Sequence, residues 1–329
     1  MCMIRWLGVF TGLVVFACGT AWSQPASTGS GQAYPARQVR VVVVFPPGGA
    51  TDIVSRIVFQ KMSEQLGQQF VIDNRGGAGG MIGAEIVAKS PPDGYTLMVY
   101  SQTLLANAHL YQKQPYDALK DFVGITTLTR IVPMLAVHPS LPVRTTKDYI
   151  ALAKARPGEI LYGSAGIGAL QHLAMSTFAS TIGAKMTHVP YKGGTLAVTG
   201  MMSGEIQAIL TPIAELYAHL KSDRVRPIAV SSPARTTQFP AIPAIAETLK
   251  GFEFTSWFAA FAPAGTPKPI IDRLNAELKK AVEDPGISAK LSEQVLDPMY
   301  MTTEVFAKQI QIEYDRLRQV VKLSGARIE

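Results

Sequence analysis

The sequence predicts an exported α/β protein with two lobes, each a mostly parallel sheet flanked by helices. Short apolar runs that end in Gly or Pro alternate with segments of helical periodicity, which is typical of parallel strands joined by helices. Two longer apolar segments, residues 122–137 and 257–262, are suited to carry the chain into a second lobe and back. An apolar leader precedes all of these segments.

We interpret residues 1–23 as a signal peptide that is removed on export. Arg5 is followed by an apolar run, Leu7–Ala17, that is too short to span a bilayer. The small residues that end the leader at Ser23 match the usual cleavage pattern. The residues before Cys18 loosely resemble a lipoprotein cleavage box, so lipid anchoring at Cys18 is the alternative.

Composition excludes several classes of function. Both cysteines, Cys2 and Cys18, lie in the predicted leader, so the mature chain would have no thiol for catalysis or metal binding. The net charge is +7, and the basic residues form no run that would indicate nucleic-acid binding. A mild positive charge favours encounter with small anions. We expect no cofactor, no metal and no nucleic-acid partner, and we predict a monomer.

The first half of the mature chain predicts a βαβαβ unit. The strand Val39–Phe45 is followed by apolar residues at helical spacing from Ile53 to Leu66, and Gly67 is suited to end that helix. The other predicted elements are the strand 70–72, the helix 81–89 and the strand 95–100.

The second half repeats the alternation. The predicted elements are the helix 146–155, the strand 160–162, the helix 169–182, the strand 188–189, the helix 196–202, the strand 206–210, a helix–strand pair ending at residue 230, the helix 267–283 and an apolar-striped closing helix. We assign residues 34–136 and roughly 257–300 to lobe 1, and residues 137–256 to lobe 2. The lobe of the closing helix, within 301–329, stays open. A cleft between two such lobes is a usual place for a small ligand.

Three loops could bind an anion in that cleft. The first, Phe45–Asp52, joins a strand to a helix through two prolines and two glycines, which leaves backbone N–H groups free at the positive end of the helix. A strand-to-helix turn that binds no ligand explains this loop equally well. Asp52 is better suited to cap the helix than to contact an anion, because its own charge would repel the anion. Residues 162–172 and 189–195 have the same strand–turn–helix character.

The candidate ligand contacts come from these loops and from the end of the third strand. Ser164 offers a hydroxyl, Tyr191 a ring and hydroxyl, and Lys192 a counter-charge, although exposed lysines are usually only solvated. His172 is as well explained by packing. The full set is Pro47, Gly48, Gly49, Ala50, Thr51, Asp52, Ser101, Ser164, Ala165, Gly166, Gly168, Ala169, His172, Tyr191, Lys192 and Gly193.

Signals for catalysis are weak. Ser164 lies in a turn like a nucleophile elbow, but Tyr162 occupies the place of the first glycine in the G-x-S-x-G pattern. The five histidines are scattered without metal-ligand spacing. We therefore predict a protein that is not an enzyme. The rival interpretation is an exported serine hydrolase that uses Ser164 with a histidine such as His172 or His188.

Several long strings together resemble one family. FPPGGATDIVSRI, VIDNRGGAGGMIGAEIVAKSPPDGYTLMV, KDFVGITTLTR, ALAKARPGEILYGSAGIGALQHLA, HVPYKGG and APAGTP follow one another in the order seen in Bug-type extracytoplasmic solute receptors of tripartite tricarboxylate transporters. The resemblance runs from about Pro35 to the closing helix. It implies a type II periplasmic-binding-protein fold, a periplasmic location and lobes that close on a small carboxylate for delivery to a transporter. A receptor that signals to a sensor partner is the other alternative.

The resemblance also implies where the ligand is held. In such receptors main-chain N–H groups, hydroxyls and ordered water hold the ligand carboxylate, which places contacts on 46–52, Ser101, 164–169 and 191–194. Ala169 stands where the family usually has Ser or Thr, Gly76 replaces a common proline, and Met81 a common asparagine. The segments Thr211–Glu215 and Ser222–Arg226 also depart from the family pattern, so the ligand class stays open.

Overall fold

The computed structural model describes residues 34–324, and the predicted signal peptide lies outside these residues. The described part forms two sheets flanked by helices, which confirms the predicted α/β class. Between residues 34 and 324, no helix combines the length and apolar character needed to cross a membrane.

Apart from the short β11, which was not predicted, the strands lie close to the predicted positions. They are β1 (Val39–Val43), β2 (Phe70–Asn74), β3 (Thr96–Ser101), β4 (Phe122–Ile131), β5 (Pro133–Val137), β6 (Leu161–Ser164), β7 (Thr187–Pro190), β8 (Ala208–Pro212), β9 (Arg226–Val230), β10 (Ser256–Pro263) and β11 (Asp297–Pro298). The apolar segment 122–137 is two strands, because the chain leaves the first sheet after Ile131 and enters the second at Pro133.

The helices fill the intervals between these strands. They are α1 (Ala50–Leu66), α2 (Met81–Ala88), α3 (Thr103–Leu110), α4 (Thr146–Ala155), α5 (Leu170–Ile182), α6 (Gly194–Met202), α7 (Ile213–Leu216), α8 (Ile245–Thr248), α9 (Lys268–Glu283), α10 (Pro285–Glu293) and α11 (Thr303–Ser324). Gly67 ends α1 in the left-handed conformation and donates its N–H to the Ser63 carbonyl, as a C-cap glycine does. Helices α3, α8 and α10 were not predicted, and α1 begins three residues earlier than its apolar spacing indicates.

The two sheets have the orders β11-β4-β10-β3-β1-β2 and β7-β6-β8-β5-β9. Strands β1, β2 and β3 are parallel in the first sheet, and β6, β7 and β8 are parallel in the second. Strands β4, β5 and β10 pair antiparallel with their neighbours. Only β10 and the short β11 in the first sheet and β5 in the second run against the other strands, so most strands of each sheet share one direction, as predicted. The boundary at residues 136–137 stays a prediction, although β5 already pairs in the second sheet.

The closing helix α11 packs against α3 and β4, and also against α5, which flanks the second sheet. Phe306 anchors its first turn, with its ring 5.2 Å from that of Trp257 and 5.6 Å from that of Phe261. Near its other end, Leu317, Val320 and Val321 are buried in the same core. The helix is therefore held by elements from both halves.

Candidate functional site

Three helices begin at one cleft between the two sheets. The loops after β1, β6 and β7 lead into α1, α5 and α6, and they leave their sheets at the carboxyl ends of parallel strands, where ligands of α/β proteins bind. The first turns of the three helices line a cavity of about 250 Å³, together with Ser101, Thr103, Lys192 and Glu215. Unpaired N–H groups and the helix dipoles give such a place a positive potential.

The loop before α1 is held in shape by Asp52. The buried Asp52 carboxylate accepts hydrogen bonds from the Gly48 amide at 3.0 Å, Arg56 Nε at 2.9 Å and Asn74 Nδ2 at 3.0 Å. Burial raises the pKa of this carboxyl, but the three donors outweigh burial and the pKa is lowered. Gly48 has a φ of +81°, which glycine adopts without strain. Asp52 thus braces the loop from behind and does not line the cavity.

The loop before α5 is held by a buried serine and two histidines. Ser164 Oγ donates to the Gly166 carbonyl at 2.8 Å and accepts the Gly166 amide at 3.1 Å. It also lies 2.6 Å from His188 Nε2, and the His188 ring stacks on that of His172 with centroids 4.0 Å apart. Burial lowers the pKa of His188 to about 4, while burial and the neighbouring His188 lower the pKa of His172 to about 3. Both rings are therefore neutral at physiological pH.

The turn before α6 reaches the opposite side of the cleft. A Cβ on Gly193 would lie 3.2 Å from Cγ of Pro46, so the Gly193 backbone lies close against the Pro46 ring. On the other side, a Cβ on Gly79 would lie 2.9 Å from the Ile167 carbonyl oxygen. A second cavity of about 550 Å³ lies between these contacts and shares Phe45, Pro46, Pro47, Ala165 and Lys192 with the first. We call the first the smaller cavity and the second the larger cavity.

Glu215, at the end of α7, places a carboxylate in the smaller cavity. The Ala50 amide donates to it, as do Gln171 Nε2 at 3.1 Å and the Thr211 hydroxyl. Gly194 leaves room for it, because a Cβ there would lie less than 3.0 Å from both carboxylate oxygens. Burial raises the pKa of the Glu215 carboxyl, against the effect of its three donors. The side chain is still partly exposed, toward the cavity that it lines.

The structure brings most of the predicted contacts to these two cavities. The smaller cavity is lined by Pro47, Gly49, Ala50, Thr51, Ser101, Ala165, Lys192 and Gly193. Gly166 and Tyr191 line the larger cavity. The remaining six line neither cavity and support the loops instead; they are Gly48, Asp52, Ser164, Gly168, Ala169 and His172.

Sequence reasoning missed Gln171 and Glu215 as lining residues, whereas Gly194 lies in the turn 191–194 that the resemblance implied. Gln171 stands one residue before His172 and so falls just outside the predicted contacts. Glu215 had a signal, because the segment that contains it departs from the family pattern. Within residues 34–324, no group of three His, Cys, Asp or Glu side chains is arranged to hold a metal ion.

Comparison with known proteins gives consistent matches over nearly the whole chain. A family model described as "Tripartite tricarboxylate transporter family receptor" matches residues 54–325. Protein BugT of Bordetella pertussis is 34% identical over 332 aligned residues, which cover 100% of each chain.

Solved structures match in fold as well as in sequence. The structure of R. palustris Rpa4515 with adipate has a TM-score of 0.86 and 34% identity, covering 90% of this chain and 100% of that one. MatC from Rhodopseudomonas palustris with bound malate has a TM-score of 0.82 and 28% identity, covering 88% and 100%.

Proposed function

This chain belongs to the tripartite tricarboxylate transporter receptor family, and we propose that it captures a small organic carboxylate in the cleft and delivers it to a membrane transporter. Membership confirms the resemblance noted in the sequence and makes the chain a solute-binding receptor. The observation that carries the proposal is the convergence on one cleft of the three loops that lead into α1, α5 and α6, which line both cavities. Two relatives of the same fold hold adipate and malate, which supports a carboxylate as the solute class. A periplasmic location follows from this role.

Capture would proceed by closure of two lobes about the crossings between the sheets. The chain passes from the first sheet to the second at Val132 and returns before Ser256, and we propose these two segments as the hinge. The loops at Pro46 and Gly193 come from opposite halves, so a solute held between them favours the closed arrangement by its differential affinity.

Thermal unfolding with a panel of mono-, di- and tricarboxylates tests the solute class. A solute at one hundred times its dissociation constant should stabilise the mature chain by about 2.7 kcal/mol. Small-angle scattering should then show a smaller radius of gyration in the bound state. The proposal fails if no carboxylate raises the melting temperature while neutral sugars, or amines without a carboxylate, do so.

A hydrolase is the second candidate, because Ser164 lies within hydrogen-bonding distance of His188. The Ser164 side chain is fully buried, and its oxygen is engaged with Gly166, which leaves no path for an ester carbonyl. This burial supports the binding role. Turnover of an ester panel that is abolished in Ser164→Ala would favour the hydrolase, whereas solute binding retained in that variant without turnover in either form would exclude it.

Delivery to a transporter and signalling to a sensor partner make different predictions in cells. We propose delivery, since the family is defined by its transporter. Deletion of the gene should abolish uptake of the labelled solute and leave solute-induced transcription intact. Loss of induction with normal uptake would favour the signalling alternative.

A further inference from the structure

Glu215 supplies an anion at one end of the cleft. Its carboxylate accepts from the Ala50 amide at the start of α1, from Gln171 and from Thr211. Free N–H groups at a helix N-terminus are donors that a bound anion would otherwise use. A solute carboxylate at this end would have to compete with a group that is already in place.

The two cavities differ in charge. Among the described residues, the lining of the smaller cavity includes the acidic Glu215, whereas the lining of the larger cavity includes no acidic side chain. The larger cavity is lined by Gly166, by the glycine-rich turn 76–79 and by Lys192, which also reaches the smaller one. The cavities are adjacent, since Pro47, Ala165 and Lys192 line both, and an elongated solute that displaces the side chains between them would extend from one into the other. Its carboxylate is favoured in the larger cavity and is repelled near Glu215.

We propose that Glu215 determines the specificity of this cleft and that the solute carries a nitrogen-bound hydrogen-bond donor, an ammonium or an amide N–H, at the end opposite its carboxylate. The inference rests on the proposed function, since it assumes that the cleft captures a carboxylate at its other end. The half-buried Glu215 lines the cavity, and a carboxylate has about four acceptor positions, so it can accept from such a donor in addition to its three present partners.

A matched solute series tests this specificity by isothermal titration calorimetry. Adipate, adipamate and 6-aminohexanoate share one carboxylate and differ in the group at the other end; succinate, succinamate and 4-aminobutanoate form a shorter series. We expect the wild type to bind the amide or the amine of at least one series at least tenfold more tightly than its dicarboxylate. The preferred member then identifies the donor. Glu215→Gln, which keeps the side-chain shape, should bring the amine and the dicarboxylate to within about threefold of each other.

Glu159→Gln is the matched control, because Glu159 is exposed in the same half of the chain and lies outside both cavities. It should keep the wild-type preference. The inference is overturned if the wild type binds a dicarboxylate as tightly as its amine and amide counterparts, or if Glu215→Gln leaves the preference unchanged. Either result leaves the proposed function intact, whereas failure of every carboxylate to bind contradicts the proposed function.

A second experiment does not need the natural solute. Glu215→Ala vacates the place of the carboxylate, so acetate at millimolar concentration should raise the melting temperature of this variant, with sodium chloride as the ionic-strength control. Acetate can also enter the larger cavity of all three proteins, so the wild type and Glu159→Gln should be stabilised less than Glu215→Ala. An equal acetate response in all three proteins would overturn the assignment of Glu215 as the resident anion.

Discussion

Replacing Gly194 by alanine tests the position of the Glu215 carboxylate directly. Gly194 has ordinary helical geometry at the start of α6, so alanine fits its backbone and would by itself stabilise the helix by up to about 1 kcal/mol. The new Cβ, however, would lie less than 3.0 Å from both Glu215 oxygens. The glutamate must therefore turn away.

The cost of that movement follows from the bonds that are lost. Glu215 would give up its hydrogen bonds with Gln171, Thr211 and the Ala50 amide. Hydrogen bonds to a charged group contribute about 1.5–3 kcal/mol each, and water in the cleft replaces part of this. After subtraction of the helix gain, we expect Gly194→Ala to destabilise the chain by about 2 kcal/mol.

Urea unfolding of a double-mutant cycle measures this effect. In the Glu215→Ala background the obstacle is absent, so Gly194→Ala should be neutral or stabilising, which gives a coupling energy of about 2–3 kcal/mol. A coupling energy near zero, with Gly194→Ala equally destabilising in both backgrounds, would refute the contact between Gly194 and the carboxylate.

Three further variants test the supporting structure. Folding lowers the pKa of His188 from 6.5 to about 4, so the folded chain favours the neutral ring. The contribution of His188 to the free energy of unfolding is therefore complete above pH 6.5 and is lost as the pH falls toward 4. The loss is up to about 1.4 kcal/mol per pH unit, and less because the ring is partly exposed. His188→Gln should therefore flatten the decline in unfolding free energy between pH 7 and pH 5, and an unchanged slope would contradict the burial argument. Tyr100→Phe should cost about 1–3 kcal/mol in urea unfolding, because the buried hydroxyl donates to the Gly79 carbonyl and accepts Asn107 Nδ2; a neutral result would show that these partners are satisfied otherwise. Phe306→Ala should cost about 3–5 kcal/mol by leaving a cavity under α11, and a loss below 1 kcal/mol would mean that the helix is only loosely docked.

The sequence predicted the positions of the strands well, but it did not predict helix α3 or the direction of every strand. The four valines of β1 are buried and β-branched, and a glycine marked the end of α1. Helix α3 was missed because its residues Thr103–Leu110 are apolar over most of their surface and nearly all buried, which leaves no amphipathic period to detect. The reversed direction of β5 and β10 could not be predicted, since strand direction within a sheet depends on long-range pairing and not on local pattern.

The candidate site was likewise predicted only in part from the sequence. The loops before α1, α5 and α6 were identified because glycine-rich strand–helix junctions have a local signature. The position of Glu215 in the cleft depends on a strand and a short helix that only the folded chain brings to the start of α1. That His188 would stack on His172 was likewise not visible, although both histidines were considered as partners of Ser164.

The attachment of α11 to both halves limits how the cleft can open. A helix anchored beside Trp257 at one end and packed against α5 further along must slide, bend or release a contact whenever one sheet rotates relative to the other. The environment of the α11 backbone amides should therefore change with that rotation. A fluorophore attached to the outer surface of α11 would report solute capture as a change in fluorescence without altering the cleft.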